Sequence, residues 1–124
     1  MTPERIVIAD DSRTAVTVLE FALKREGYEV VTATDGAQAL DRIREARPRV
    51  VILDGMMPEK DGFEVAAEVR GDRSIDPQPH IIMVTAEGRD ADEDRALAAG
   101  VDDFLTKPFS PSRLLELVRQ ALAG

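Results

Sequence analysis

Four short apolar runs without interruption punctuate the chain, at residues 6–9, 30–31, 50–53 and 81–84, and a weaker fifth covers 104–105. Between them the apolar positions recur at helical spacing. Strands that alternate with helices pair in parallel, because each return to the sheet needs a crossover. The punctuation predicts five helices. The first covers 12–26, with Ala15, Val18, Leu19 and Ala22 on one face and Gly27 at the left-handed position that ends it. The second follows Asp35, turns Ala39, Leu40, Ile43 and Ala46 inward and stops before Pro48. The third follows Asp61-Gly62 and ends near Arg70. The fourth spans 90–99 and closes at Gly100. The fifth opens with Ser110-Pro111, an N-cap followed by an N1 proline, and buries Leu114, Leu115, Val118, Ala121 and Leu122.

Strand chemistry suggests an order. The first, third and fourth strands are apolar throughout, as strands covered on both faces are. The second (29–32) and fifth (103–106) mix polar with apolar residues, as edges do. This fits an α/β fold with one doubly wound, five-stranded parallel sheet in the flavodoxin-like order 2-1-3-4-5. The fourth helix has little apolar content beyond Ala91, Leu97, Ala98 and Ala99, so a loosely held helix is expected. Residues 71–80, rich in Pro and Asp, read as a long mobile surface loop, and His80 as a surface residue at the start of a strand.

With 124 residues the chain is expected to form one domain, 1–124, with no linker, repeat or low-complexity tract. Sixteen Lys and Arg against 24 Asp and Glu leave a formal charge of −8, which argues against direct nucleic-acid or anionic-membrane binding. The absence of Cys removes disulfides, thiolate zinc sites and thiol nucleophiles, and a single His removes His-rich metal sites. No apolar run approaches a membrane span and no signal-peptide core opens the chain, so a cytoplasmic location is expected.

Open parallel sheets bind ligands beyond the carboxyl ends of their strands, where the order reverses. Those ends carry Asp10-Asp11, Asp54, Thr85-Ala86 and Thr106-Lys107-Pro108-Phe109. Three carboxylates converging from adjacent strands repel, so they must share a proton or a cation. A hard, oxygen-liganded cation such as magnesium is the natural resolution. Lys107, one of three lysines, can reach the same pocket as a point charge suited to phosphate. Pro108 after it admits a cis bond that would aim the lysine inward.

Asp10-Asp11-Ser12, Asp54-Gly55-Met56-Met57-Pro58 with Asp61-Gly62, Val84-Thr85-Ala86, and the run from Gly100 to Phe109 together resemble the response-regulator receiver domain of two-component signalling. The likeness covers essentially the whole chain, with the motifs in order at family spacing. It implies a phosphorelay role, with Asp54 accepting a phosphoryl group from a histidine kinase or phosphotransfer protein. It implies magnesium as cofactor, held by Asp11, Asp54 and the Met56 backbone carbonyl, with Asp10 acting directly or through water. Lys107 would pair with one phosphoryl oxygen and the Thr85 hydroxyl with another.

In such a domain Thr85 moving inward frees room for an aromatic ring on the fifth strand, where this chain has Phe104. Many relatives carry Tyr there, so the hydroxyl half of the switch is missing and the packing half is kept. The face of helix 4, strand 5 and helix 5 would then meet partners: a downstream protein, a fused output domain, or a second copy in a homodimer formed on phosphorylation. The first helix and its loops would face the kinase. Met56 and Glu87 would flank the hydrolytic water, giving a phosphorylated state of intermediate lifetime. Gly55, where the family commonly has a larger apolar residue, reads as loosening its loop. The chain is not expected to be an enzyme beyond its own phosphorylation and dephosphorylation. Two alternatives stand beside this: a receiver-like interaction module that works without phosphate, and a magnesium-dependent phosphohydrolase acting through an aspartyl phosphate. The second fits less well, because such enzymes carry Asp-x-Asp after the first strand and a cap-sized insertion.

Overall fold

The structure, a computed structural model, describes residues 3–86 and 90–123. Strands and helices alternate: β1 (Arg5–Ala9), α1 (Arg13–Arg25), β2 (Glu29–Ala33), α2 (Gly36–Ala46), β3 (Val50–Asp54), α3 (Gly62–Gly71), β4 (His80–Thr85), α4 (Asp90–Ala98), β5 (Asp103–Thr106) and α5 (Pro111–Ala123). The five strands form one parallel sheet in the order β2-β1-β3-β4-β5. The mixed polar and apolar content of β2 and β5 therefore identified the edges correctly. β1, β3 and β4 are buried almost end to end because helices cover both faces.

Alternation along the central strands feeds two cores. Ile6, Ile8, Val50, Ile52, Ile82 and Val84 face α1 and α5, while Val7, Val51, Leu53, Ile81 and Met83 face α2, α3 and α4. In α1 the inward stripe is Val16, Leu19 and Leu23, not the expected set around Ala15, Val18 and Ala22; Val18 is 52% exposed. The two stripes are neighbours on one helical wheel, and the choice between them depends on how the helix rolls onto the sheet. In α5 the buried set is Leu114, Leu117 and Val118, with Leu115, Ala121 and Leu122 only partly covered. α4 is held as thinly as expected. Ala96 is buried, whereas Leu97 is 64% exposed, and the side chain of Ala91 lies outside the described residues.

Caps fix the helix starts. Ser12 and Asp35 accept N–H bonds from Ala15 and Gln38, and Asp61 with Glu64 forms a reciprocal capping box at α3. The segment between α3 and β4 is irregular, as expected, but it is tied down. Ile75 is buried, and the Gln78 amide donates to the carbonyls of Val69 and Ile75. Arg70 donates to Gln78, to the Pro79 and Gly100 carbonyls and to Asp102. Amide and guanidinium donors thus satisfy the loop's backbone, a job that composition alone does not reveal. His80 opens β4, half-buried, with Nε2 2.6 Å from Asp103 Oδ2.

One close approach sets the path from α2 to the carboxyl end of β3. The Gly36 N–H donates to the Pro58 carbonyl, and a Cβ on Gly36 would collide with the Lys60 carbonyl oxygen. Gly36→Ala is expected to cost about 3 kcal/mol through overpacking against backbone. Gly71→Ala, where nothing lies within 4 Å, should be neutral or stabilising by up to about 1 kcal/mol. Urea unfolding of the two variants checks the contrast; equal effects would contradict it.

Candidate functional site

The carboxyl ends of β1, β3, β4 and β5 bring the expected residues together. Asp10 directly follows β1, where its N–H still reaches the Ala33 carbonyl of β2. Its side chain is 4% exposed; Oδ1 accepts the Ser12 N–H at 2.9 Å and Oδ2 accepts Lys107 Nζ at 2.9 Å. Asp54 ends β3 at 7% exposure, with Oδ1 accepting the Met56 N–H at 3.2 Å and Oδ2 3.6 Å from Lys107 Nζ. Asp11 is exposed, and one oxygen from each of Asp10, Asp11 and Asp54 lies within 4.8 Å of the others. Lys107 is placed by the sheet itself, since its N–H donates to the Thr85 carbonyl one step beyond β5. The Lys107–Pro108 peptide takes the cis form that Pro108 admits, and the Asp76–Pro77 peptide is cis as well.

Thr85 ends β4 and is buried beside Gly55; its Cβ and Oγ1 lie 3.3 Å from where a Cβ on Gly55 would stand. Gly55 does not loosen its loop. Its N–H donates to Val84 and its carbonyl accepts from Gly62, which pins the turn after the aspartate. A bare backbone here lets β4's Thr85 and α3's Phe63 approach closely. Met56 projects its side chain into solvent, 67% exposed. Phe104 is half-buried on β5, packed against the core that includes Ala96 and Val101. Glu87, expected beside a hydrolytic water, lies outside the described residues. Beside the carboxylates a cavity of about 580 Å³ opens between α1 and the start of α5, with Ala15, Val18, Ala86, Pro108 and Phe109 in its largely apolar wall. The helical reading of α1 had turned Ala15 and Val18 into the core and so missed it.

The electrostatics follow from this crowding. Burial pushes the Asp54 carboxyl up to about 6. The Met56 N–H opposes that shift and the neighbouring Asp10 charge adds to it. Lys107 is also buried in part, which disfavours its charge, but the bond to Asp10 and the nearby Asp54 outweigh this and hold it above its ordinary value. Three hard carboxylate oxygens at this spacing, with one lysine between two of them, suit a small oxygen-liganded cation that keeps some of its water.

The chain matches the model of the response regulator receiver domain over residues 6–119. It is 38% identical over 119 residues to the alkaline phosphatase synthesis transcriptional regulatory protein PhoP of Bacillus subtilis, covering 96% of this chain and 48% of that protein. The chain thus spans about half the length of this curated relative. Its backbone superposes on a CheY-like receiver domain protein from Methanospirillum hungatei with a TM-score of 0.91 at 28% identity, covering 98% of this chain and 95% of the other. The chemotaxis response regulator CheY4 of Vibrio cholerae gives 0.88 at 33% identity, over 97% and 99%. The chain belongs to the response regulator receiver domain family of two-component signalling, with an acidic cluster that suits a metal ion. Among the described residues no helix is long and apolar enough to cross a membrane.

The raised Asp54 carboxyl has a thermodynamic consequence. Folded Asp54 keeps its proton to about pH 6, whereas an unfolded aspartate releases it near 3.8, so metal-free folding stability falls as pH rises between those values. Asp54→Asn removes this penalty and keeps an acceptor for the Met56 N–H. It should stabilise the metal-free protein by on the order of 2 kcal/mol at pH 7, with the gain vanishing near pH 4. Urea unfolding at both pH values measures this; a destabilised variant at pH 7 would contradict it.

Proposed function

We propose that Asp54 is the phosphoacceptor of a two-component phosphorelay. The observation that carries this is the pairing of a buried strand-end carboxylate with Lys107 at 3.6 Å inside a three-carboxylate cluster, in a chain of the receiver family. An Asp54 oxygen attacks phosphorus of a phosphohistidine, the P–N bond breaks, and its electron pair returns to the imidazole nitrogen, which takes up a proton. Nothing covalent is asked of the rest of the site, whose work is positioning and charge neutralisation. Asp10, Asp11, Asp54 and the Met56 carbonyl would hold magnesium, which when bound neutralises charge on the transferring group. Lys107 swings from Asp10 and Asp54 onto a phosphoryl oxygen, and the Thr85 hydroxyl donates to another.

The product bears roughly −1.5 to −2 charge and three strong acceptors, the general basis of phosphorylation switches. Thr85 drawn toward Asp54 vacates space on the side of β5, and Phe104 turns into it. Because Phe104 has no hydroxyl, the response is one of packing, transmitted to the face of α4, β5 and α5. That face is where a downstream protein, an output domain or a second copy would dock. The donor, a histidine kinase or phosphotransfer protein, would meet α1, where Phe21 is 65% exposed and Val18, 52% exposed, lines the cavity. On this reading the chain is a signalling module that turns over no substrate besides its own phosphoryl group, and it works in the cytoplasm.

Intact-mass spectrometry after incubation with acetyl phosphate tests the reading. One added phosphoryl mass is expected, dependent on magnesium and absent in Asp54→Asn. Lys107→Ala should lower the yield at least about tenfold, the scale of losing one charged partner in the transition state. No adduct under trapping conditions would support an interaction module that works without phosphate. An adduct that survives in Asp54→Asn would mean a different acceptor.

A further inference from the structure

The thinly packed helix α4 has a tether that the phosphorylation chemistry does not use. Arg95 Nη2 lies 3.1 Å from Asp61 Oδ2, and the Arg95 guanidinium stands over the Phe63 ring, 4.2 Å from its centroid. Asp61 is already the N-cap of α3, with Oδ1 accepting the Glu64 N–H, so its second oxygen is held in a fixed direction. Phe63 is 5% exposed, and its Cε2 lies 3.4 Å from where a Cβ on Gly55 would stand. Gly62, between Asp61 and Phe63, donates its N–H to the Gly55 carbonyl. Arg95 thus grips the segment that follows the acceptor aspartate, at two points, from the helix least secured by apolar packing. Among the described residues this is the ion pair that joins α4 to α3.

We infer that Arg95 is a latch holding α4 against the acceptor segment in the resting arrangement, and that it sets how readily the α4 face responds to phosphorylation. The inference rests on Asp54 being the acceptor. A contact made in only one of two arrangements biases the equilibrium toward that arrangement by its own free energy. Movement of α4 relative to α3 would break the Asp61 pair and lift the guanidinium off the ring together. The Arg95 guanidinium stays open to solvent, so its ion pair and its cation–π contact are each weak and their joint loss should shift the equilibrium about fivefold. That is large enough to alter signalling and small enough for phosphorylation to override.

The test compares wild type with Arg95→Gln, a surface change that keeps a polar side chain, and with Phe63→Leu, which keeps apolar packing and removes the ring face. Amide resonances of Thr85, Val101 and Phe104 are recorded in magnesium, with and without beryllofluoride as a phosphoryl mimic, and phosphorylation by acetyl phosphate is timed. The expected result is that the resonances of mimic-free Arg95→Gln lie part-way along the line from the wild-type free to mimic-bound positions. Its phosphorylation should be about fivefold faster, with Phe63→Leu moving the same way by less. Resonances at the wild-type free positions, displacements off that line, or an unchanged or slower rate would overturn the latch while leaving Asp54 as acceptor. A wild-type protein that takes no phosphoryl group and ignores the mimic would sink the acceptor reading and the latch with it.

Discussion

Asp10 and Asp54 are held side by side at the ends of two buried, adjacent strands, and a single lysine stands between them. The sheet enforces this crowding: the β1–β3 register fixes both backbones, and the Lys107 N–H bond to Thr85 carries the pairing of β4 and β5 one residue further. One ammonium cannot neutralise three carboxylates, so the site is left with uncompensated negative charge in partly desolvated surroundings. Burial first, and the Asp10 charge after it, raise the Asp54 carboxyl, and in that sense the cluster is frustrated. A site in this condition suits a cation, which would relieve the repulsion among its carboxylates.

The surroundings divide into a rigid part and a yielding part. The turn after Asp54 is rigid, pinned by Gly55 to Val84 and by Gly62 to Gly55, with α3 capped on both sides of its first turn. The yielding part is α4, which buries Ala96 and leaves Leu97 in solvent. Near them lie Thr85 and Phe63, both close to Gly55, and Phe104, which packs against the same core as Phe63. On the proposed function, a change of charge at the pinned turn would be read out by the helix with the fewest buried apolar contacts.

Much of this was legible in the chain. Continuous apolar runs identified the central strands, mixed runs identified the edges, and the residues just past the strands identified Asp10, Asp11, Asp54, Thr85 and Lys107 as neighbours. Helix faces were read less well. Val16, Leu23 and Leu117 are buried where Val18 and Leu115 were favoured, because apolar residues occupy two adjacent stripes and only docking onto the sheet selects one. The cavity lined by Ala15 and Val18 was missed for the same reason. Residues 71–80 read as a mobile loop from their Pro and Asp content. Its anchors, Arg70 and Gln78, are polar residues whose partners are distant in space, and hydrophobic patterning carries no trace of such bonds. Arg95 was invisible likewise, since nothing in a helix of charged residues marks the one that reaches an aromatic face on another element.

The most direct test of the charge frustration at this site is the free energy of unfolding at pH 7 as magnesium is titrated. If the cluster binds the ion in the folded state alone, stability rises with the logarithm of its concentration. The gain should reach about 2.7 kcal/mol at a hundredfold excess over Kd, and it should be largely lost in Asp11→Asn. Stability that does not change with magnesium in the wild-type protein would contradict the view that these carboxylates are held together to receive a cation.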